Sequence, residues 1–351
     1  SRMKIVIEKL GQSALAKDIF ANMQKKPTDA IASHHCDECG KTYDTTIKLC
    51  PEDGSFLAPI TDTDLHDTIF EDKYQIDKCI GRGGGGIIYK AHHRYFDRTV
   101  AIKILNPKLS SDFALVKRFK REAETASSLR HDNLMSVYDF GISKRGQPYF
   151  IMEYIEGKTL RELIVENSEL NLESALPIFL QICDGLDYAH SKGVIHRDLK
   201  PSNIMLIDDG QGRAPKVKII DFGIAKDTHV ENKNRASLTL NGEIFGSPPF
   251  MSPEQCRGQS VDCRSDIYSM GCLMFETLTG VHLFPDDSTL ATLFRHLNEA
   301  PRACREILPD NKFPDEIERI IQKTLEKDPD DRYQTMRELK NDLKRVAVEI
   351  S

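Results

Sequence analysis

The chain has 351 residues, of which 40% are hydrophobic and 29% are charged, a composition typical of a folded globular protein rather than a disordered or collagen-like one. This length allows one large domain with a small appendage, and the formal net charge of −6 argues against a dedicated nucleic-acid binder. The sequence contains no run of about 18 apolar residues that would predict a transmembrane helix, and its start lacks the apolar segment of a signal peptide. Nine cysteines are too few for a disulfide scaffold, so we expect reduced thiols and a cytoplasmic chain, with membrane tethering of a longer parent protein left open.

The amino-terminal part of the chain divides by composition into three short segments. Residues 1–33 carry a weak helical pattern, which predicts a short docking helix or a frayed end. Residues 34–59 are rich in turn-forming residues and cysteine. Residues 60–73 include five acidic residues before the only lysine, so we predict a solvated acidic linker there.

From residue 74 onward the pattern predicts one large α+β domain. Strands are predicted at Tyr74–Ile80, Ile87–Tyr89, Thr99–Leu105, Leu134–Tyr138 and Tyr149–Tyr154. Helices are predicted at Asp112–Leu129, Ala175–Ser191, Asp266–Leu278, Thr289–Leu297, Pro314–Leu325 and Thr335–Val348. Because most strands come first and most helices afterwards, we expect two unequal lobes.

A glycine-rich segment lies between the first two predicted strands. Gly81, Gly83, Gly86 and Ile88 fit the pattern G-x-G-x-x-G-x-V, with isoleucine in the last place. Glycine lets backbone N–H groups approach phosphates without an intervening Cβ. The flanking strands disfavour a Rossmann turn, in which the glycines open a helix. By themselves, four consecutive glycines also fit an ordinary flexible loop.

A lysine interrupts the third predicted strand. Lys103 ends the run Val100–Lys103, and burying its charge is costly unless an anionic group lies nearby. The pattern therefore predicts contact with a phosphate, a carboxylate or both. Glu122, in the middle of the following helical pattern, is the best carboxylate for this contact, although its spacing fits an exposed surface residue equally well.

The segment His196–Asn203 is the richest in chemistry. It places Asp198, Lys200 and Asn203 in a predicted loop between a helix and a strand. The aspartate can accept or orient a hydroxyl proton, the lysine can neutralise a transferring phosphoryl group, and the asparagine offers a metal-binding oxygen. Asp221 follows the next predicted strand, where its carboxylate suits Mg²⁺.

Taken in order, these motifs show that residues 74–348 resemble a bacterial eukaryotic-like (Hanks-type) serine/threonine protein kinase. The resemblance implies a bilobal kinase fold with an N-lobe of about five strands and one helix, a helical C-lobe, and ATP with Mg²⁺ or Mn²⁺ in the cleft between them. It also implies protein substrates and a possible homodimer for autophosphorylation in trans, with no nucleic-acid partner. A nucleotide-binding pseudokinase scaffold is the alternative.

The resemblance also assigns roles to individual positions. Lys103 would hold the α- and β-phosphates and pair with Glu122, and Asp198 would be the catalytic base. Lys200 would contact the γ-phosphate. The residues expected to bind Mg²⁺ are Asn203 and Asp221, and those expected around the nucleotide are Ile80, Gly81, Gly83, Gly86, Ile88, Ala101, Glu153, Ile155 and Met205, with Met152 as gatekeeper.

Three further residues are expected to act as scaffold. Glu254, in Ser-Pro-Glu, would form a structural ion pair with Arg332, and Asp266 would anchor the catalytic loop from the start of a helix. The Ser-Pro-Glu motif disfavours a small-molecule phosphotransferase on the same fold.

The activation segment carries the expected regulation. In the family, a lysine at the position of Lys200 indicates serine/threonine specificity, and an arginine at the position of Arg197 usually receives a phosphate from this segment. Thr239 is the first candidate phosphosite and Ser237 the second; ordinary solvated hydroxyls are the alternative. The substrate-docking loop contains the unusual Pro248–Phe250, which leaves peptide preference open.

The cysteine segment resembles a single zinc ribbon. Cys36, Cys39 and Cys50 have the spacing of three ligands, and Asp53 replaces the fourth cysteine. Asp53 or a neighbouring histidine could complete a structural Zn²⁺ site, which would explain how a segment with little core folds. Three free thiols in a loop are the alternative. A protein-docking or regulatory module is the expected role.

Overall fold

The computed structural model describes residues 31–35, 42–44, 46–47, 50–51, 58–61, 65, 67–83, 86–105, 113–208, 210, 212, 214–222, 239–240, 243–244, 247–285, 288–310 and 313–350. The chain divides into two compact units. Unit 1 comprises Ser1–Ser127 with Ser136–Tyr154, and unit 2 comprises Ser128–Met135 with Ile155–Ser351. Most of the predicted amino-terminal helix lies outside the described residues, so that prediction stays open.

Unit 1 is built on a six-stranded antiparallel sheet in the order β4-β5-β6-β7-β9-β8. Its strands are β4 (Ile69–Phe70), β5 (Tyr74–Gly83), β6 (Gly86–His93), β7 (Thr99–Ile104), β8 (Val137–Ile142) and β9 (Pro148–Glu153). One face carries a buried apolar cluster that includes Ile76, Tyr89 and Ile102. On the other face, Phe119 of helix α1 (Phe113–Ser128) packs against Phe150, with ring centroids 5.0 Å apart.

Strand β4 corrects the prediction of a solvated linker over residues 60–73. Its residue Phe70 is only 8% exposed, and its ring meets Tyr149 edge-to-face at 4.9 Å. The backbone N–H of Ile76 also donates to the carbonyl of Thr68. We call residues 67–73 the strap. Most of its acidic side chains are exposed, as their composition suggested, but the strap adds a sixth strand to the sheet and one side chain to its core.

A smaller antiparallel sheet precedes the strap in the chain, in the order β2-β1-β3. Its strands are β1 (Ile31–His35), β2 (Thr42–Tyr43) and β3 (Ala58–Thr61). Cys50 is buried beside this sheet, and its Sγ lies 3.3 Å from the hydroxyl of Tyr43. The cysteine segment therefore includes regular β structure.

Unit 2 is mainly helical, as its sequence predicts. The helices are α2 (Leu160–Asn167), α3 (Leu172–Ser191), α4 (Pro253–Cys256), α5 (Cys263–Thr279), α6 (Thr289–Asn298), α7 (Cys304–Ile307), α8 (Asp315–Thr324) and α9 (Met336–Ile350). Helix α5 is the central one, because all its residues from Ser265 to Thr279 are buried. It starts at an Asp262 cap and ends at Gly280, whose φ of 73° a side chain would strain. Within the described residues, no helix is long and apolar enough to cross a membrane.

The strand predicted at Leu134–Tyr138 is displaced along the chain. The observed strand β8 starts at Val137, while the preceding residues bond to β12 (Lys216–Ile219) in unit 2. The N–H of Met135 donates to Ile219 O at 3.0 Å, and the N–H of Ile219 donates to Asn133 O at 2.8 Å. One apolar run thus changes its pairing partner midway, and hydrophobicity alone does not mark the change. Strand β12 also pairs with β11 (Ile204–Ile207), which pairs in turn with β10 (Lys158–Thr159).

Candidate active site

The loop of residues 196–203 in unit 2, which the sequence predicts to be catalytic and which we call the catalytic loop, is anchored by one buried carboxylate. Asp266 lies in the first turn of α5 and is fully buried. Its two carboxylate oxygens accept the backbone N–H groups of His196 and Arg197, each at 2.8 Å, and His190 Nε2 lies 2.7 Å from Oδ2. Burial alone would raise the pKa of Asp266, but the hydrogen bond and charge of His190 hold it below its usual range. The predicted anchoring contact therefore forms.

The ring of His196 links the loop to the strand end that precedes Asp221. Its Nε2 donates to the carbonyl of Ile220 at 3.1 Å, and its Nδ1 accepts the N–H of Asp198 at 3.3 Å. The same ring packs against Phe222, with centroids 4.8 Å apart. Sequence reasoning quoted His196 within the motif but gave it no role, because these partners follow only from the folded backbone.

The three polar residues of the loop lie together as their spacing predicts. Lys200 Nζ is 4.0 Å from Asp198 Oδ2, and both side chains are mostly enclosed, at 12% and 14% exposed. Asn203 donates its side-chain N–H to the backbone carbonyl of Asp198 at 2.8 Å. That bond orients the amide and leaves the Asn203 Oδ1 acceptor without a hydrogen bond in the described part of the chain.

Asp221 is connected to the same loop through the backbone. The N–H of Ile220 donates to the carbonyl of Asn203 at 2.9 Å. Asp221 itself has a φ of 52°, a left-handed conformation that is uncommon outside glycine and often marks functional positions. A carboxylate here and the oriented amide oxygen of Asn203 are hard oxygen donors of the kind that Mg²⁺ prefers, so these residues fit the metal that the resemblance implies.

Unit 1 positions the predicted phosphate-binding residues on a tight hairpin. Gly83 of β5 pairs directly with Gly86 of β6. A Cβ on Gly86 would lie 2.1 Å from the carbonyl oxygen of Ile104, and the φ of Gly86 is 144°, so only glycine fits. Gly81 pairs with Ile88 two residues further along the hairpin.

Lys103 occupies the centre of the sheet in unit 1. It pairs with Ile88 on one side and Phe150 on the other, and its Nζ lies 5.5 Å from the centre of the Phe150 ring. This is the sheet face against which α1 packs. Glu122 belongs to α1, but its side chain lies outside the described part of the structure, so its pairing with Lys103 stays a prediction.

The other predicted nucleotide residues are divided between the two units. In unit 1, Ala101 is buried and Ile80 is 42% exposed. The backbone N–H of Glu153 donates to Ser136 O at 2.9 Å, which occupies that donor within unit 1. Ile155 and Met205 belong to unit 2, where Met205 is partly buried on β11.

The predicted scaffold ion pair is present. The two terminal guanidinium nitrogens of Arg332 donate to the carboxylate of Glu254, each at 2.9 Å, and the hydroxyl of Ser265 adds a third hydrogen bond. Burial alone would raise the pKa of Glu254, but Arg332 holds it below its usual range. Two contributors were missed from the sequence: His190, which bonds Asp266, and Gln255, whose side chain donates to the Arg197 carbonyl at 2.9 Å.

Several predicted residues lie wholly or partly outside the described structure. Cys36, Cys39, Asp53 and Ser237 are among them, and of Thr239 only the backbone is described, in the hairpin of β13 (Thr239–Leu240) and β14 (Glu243–Ile244). Among the residues that are described, no group of histidine, cysteine and acidic side chains could hold a metal ion. The zinc site therefore stays a prediction.

Comparison with known proteins identifies the family. Residues 74–343 match the protein kinase domain, and the chain belongs to the protein kinase family. A probable serine/threonine-protein kinase of Streptomyces coelicolor is 39% identical over 274 residues, covering 77% of this chain and 39% of that protein. A serine/threonine-protein kinase of Myxococcus xanthus is 39% identical over 277 residues, covering 79% of this chain and 50% of that protein.

A third relative agrees with this assignment, and one solved structure shares the fold. The serine/threonine-protein kinase PknB of Mycolicibacterium smegmatis is 37% identical over 281 residues, covering 78% of this chain and 43% of that protein. The chain thus spans 39% to 50% of the length of these three relatives. The kinase domain of PknI from Mycobacterium tuberculosis shares the fold, with a TM-score of 0.62 and 24% identity, covering 81% of this chain and 100% of that domain.

Proposed function

We propose that this chain is an Mg-ATP-dependent protein kinase that transfers the γ-phosphate of ATP to serine and threonine hydroxyls of proteins. The observation that carries the proposal is the catalytic loop: Asp198 lies 4.0 Å from Lys200 in an ion pair, and Asn203 donates a hydrogen bond to the Asp198 carbonyl, in a chain of the protein kinase family. Relatives named serine/threonine-protein kinases support the substrate class. A pseudokinase scaffold is disfavoured because each residue needed for transfer is present.

The proposed mechanism depends on positioning and charge. Asp198 would orient the substrate hydroxyl and accept its proton, and Lys200, 4.0 Å away, would neutralise the transferring phosphoryl group. Asn203 and Asp221 would hold Mg²⁺ or Mn²⁺, which supplies further charge neutralisation at the phosphates. Lys103, paired with Glu122, would hold the α- and β-phosphates. The adenine would contact the apolar residues Ile80, Ile88, Ala101 and Met205, and the backbone from Glu153 to Ile155.

We propose that Thr239, and after it Ser237, is phosphorylated when one copy acts on another. Arg197 precedes Asp198 directly, the position from which an arginine pairs with a phosphate on the activation segment. This mode of activation requires two copies to meet, which is the reason for proposing a homodimer. ATP is abundant in the cytoplasm, where we place the catalytic domain.

The first experiment is intact-mass and phosphopeptide analysis after incubation with Mg-ATP. We expect added phosphates on serine and threonine in the wild type, Thr239 among them. An Asp198→Asn chain should gain none while still binding ATP, because it lacks only the base; the expected loss of transfer is at least about a thousandfold. Phosphate on the variant at the wild-type rate would overturn the role of Asp198.

We propose in addition that Cys36, Cys39, Cys50 and Asp53 bind one structural Zn²⁺ in a docking or regulatory module. The support is their ligand spacing and the buried position of Cys50 beside a small sheet. Metal analysis of the reduced, purified chain should find about one zinc per chain, lost in Cys36→Ser and retained in the control Cys263→Ser. A folded wild type without zinc would overturn this site.

A further inference from the structure

Both backbone groups of Arg197, the residue before Asp198, are held by side chains from other segments of unit 2. The N–H of Arg197 donates to Asp266 Oδ1 at 2.8 Å, and its carbonyl accepts the side-chain amide of Gln255 at 2.9 Å. Arg197 also has a φ of 66°, a left-handed conformation that is uncommon outside glycine. Such a conformation persists only where its surroundings hold it, and these two hydrogen bonds hold the peptide groups on both sides of Arg197.

The peptide group that Gln255 holds leads directly into the proposed catalytic base. The carbonyl of Arg197 and the N–H of Asp198 belong to the same planar peptide group. Its N–H end donates to His196 Nδ1 at 3.3 Å, and its carbonyl end accepts from Gln255. The orientation of this peptide group determines the direction in which the chain enters Asp198. A change at the Arg197 carbonyl would therefore move the Asp198 carboxylate.

The side chain of Gln255 is itself bonded at both ends. Its Oε1 accepts the N–H of Ser252 at 2.9 Å, while the backbone N–H of Gln255 donates to the Ser252 hydroxyl at 3.3 Å, a reciprocal cap at the start of α4. Because Oε1 accepts from Ser252, the amide nitrogen is the atom that faces Arg197 and donates to it. Ser252 is fully buried and Gln255 is partly buried, so water has little access to these hydrogen bonds.

Ser252 lies two residues after the end of the predicted substrate-docking loop. That loop forms a short 3-10 turn at Pro248–Phe250, and the carbonyl of Phe250 accepts the hydroxyl of Ser269 at 2.8 Å. Gln255 therefore connects the segment that ends the docking loop to the catalytic loop, although Gln255 and Arg197 are 58 residues apart in the chain.

We propose that Gln255 is a positioning residue that sets the Asp198 carboxylate relative to the hydroxyl of a bound protein substrate; this rests on the proposed kinase function. The docking loop would hold the substrate and the catalytic loop would carry the base, and Gln255 fixes one against the other. Gln255 exchanges no proton with the substrate, because its effect passes through the peptide group between Arg197 and Asp198. A misplaced base slows transfer without weakening binding, so the effect belongs in kcat and not in KM.

The direct test is Gln255→Met, which keeps the approximate length of the side chain and removes its N–H donor. The assay is phosphorylation of myelin basic protein at varied protein and ATP concentrations. We expect kcat to fall about tenfold, the effect of losing one well-placed hydrogen bond, with the KM for the protein and for ATP within about twofold of the wild type. The matched control is Gln322→Met in α8, which removes a partly buried amide that donates to the Arg302 carbonyl at 3.3 Å. The control should keep the kcat of the wild type.

A pH profile of Gln255→Glu separates positioning from a loss of stability. At about pH 8 the new carboxylate has no hydrogen to donate and repels the Arg197 carbonyl oxygen, so kcat should be at least about tenfold below that of the wild type. As the pH falls toward about 5.5, the carboxyl group gains a proton and can donate again, so the ratio of its kcat to the wild-type kcat should rise at least about threefold. Groups common to both proteins, such as Asp198 and Asp266, cancel in this ratio. The same ratio for Gln255→Met should not change with pH.

The possible outcomes separate the two proposals. A wild type that transfers phosphate overturns the role of Gln255, and leaves the kinase function intact, if kcat is unchanged in Gln255→Met or falls equally in Gln322→Met. A ratio for Gln255→Glu that does not change with pH has the same consequence, and this profile decides alone if Gln255→Met does not fold. A wild type without transfer to any protein overturns the kinase function and the role of Gln255 with it.

Discussion

The catalytic loop and the strap both contain little regular secondary structure, yet their sequences were informative in different ways. In the loop, the spacing of the polar residues in the sequence motif predicted that Asp198, Lys200 and Asn203 lie together, and they do. In the strap, composition predicted solvation, and this was correct for most side chains but wrong for Phe70. An average over many residues conceals a single anchoring side chain, whereas a motif identifies residues one by one.

If the catalytic loop depends on the buried carboxylate of Asp266, removing that carboxylate should have the largest effect on stability and on phosphate transfer. Asp266→Ala leaves the N–H groups of His196 and Arg197 and the ring of His190 without their acceptor. We expect the free energy of unfolding of unit 2 to fall by about 3–5 kcal/mol, and phosphate transfer to be lost. Denaturant titration followed by circular dichroism measures the first effect. The control Asp187→Ala removes a more exposed carboxylate that pairs with Arg337, and should change little.

The free energy of unfolding should differ between the wild type and Asp266→Ala by an amount that depends on pH, and the pKa of Asp266 determines this dependence. Because the folded state holds that pKa below the ordinary value of 3.8, the carboxylate contributes stability above pH 3.8 and loses the contribution as the pH falls through its folded pKa. The difference in the free energy of unfolding between the wild type and Asp266→Ala should therefore be constant near neutrality and become smaller as the pH falls below 3.8. A gap that widened in acid would mean that the buried group is not an anion.

These contacts also show how far sequence reasoning reaches. The five longest helices of unit 2 were predicted because their periodicity is visible in the sequence, and the ion pair of Glu254 with Arg332 was predicted from family motifs. His190 was missed because its partner Asp266 is 76 residues away and nothing local distinguishes it from a surface histidine. The displaced strand β8 was missed for a related reason, since Leu134 and Val137 are equally apolar but bond to different units.

Removing the buried side chain of the strap should have an intermediate effect on stability, confined to unit 1. Phe70→Ala should destabilise the edge of the sheet by about 3 kcal/mol, because a nearly buried aromatic ring leaves its contact with Tyr149. The neighbouring Ile69 is 49% exposed on the same strand, so Ile69→Ala is a matched control that should cost less than about 1 kcal/mol. Hydrogen exchange of the β5 amides, which pair with β4, measures both changes. Equal effects would mean that backbone pairing, and not the Phe70 ring, attaches the strap.

The smallest effect should come from the charges of the strap, which are its most conspicuous feature in the sequence. Asp72 pairs with Lys144 at 2.5 Å, and this contact holds the pKa of Asp72 below its usual range, yet the two side chains are 77% and 65% exposed. Water and salt screen such a pair. We therefore expect Asp72→Ala to leave the hydrogen-exchange rate of the β5 amides unchanged at high ionic strength and to raise it only slightly at low salt. If Asp72→Ala matched Phe70→Ala instead, the strap would be held by charge, and composition would have been the better guide to it after all.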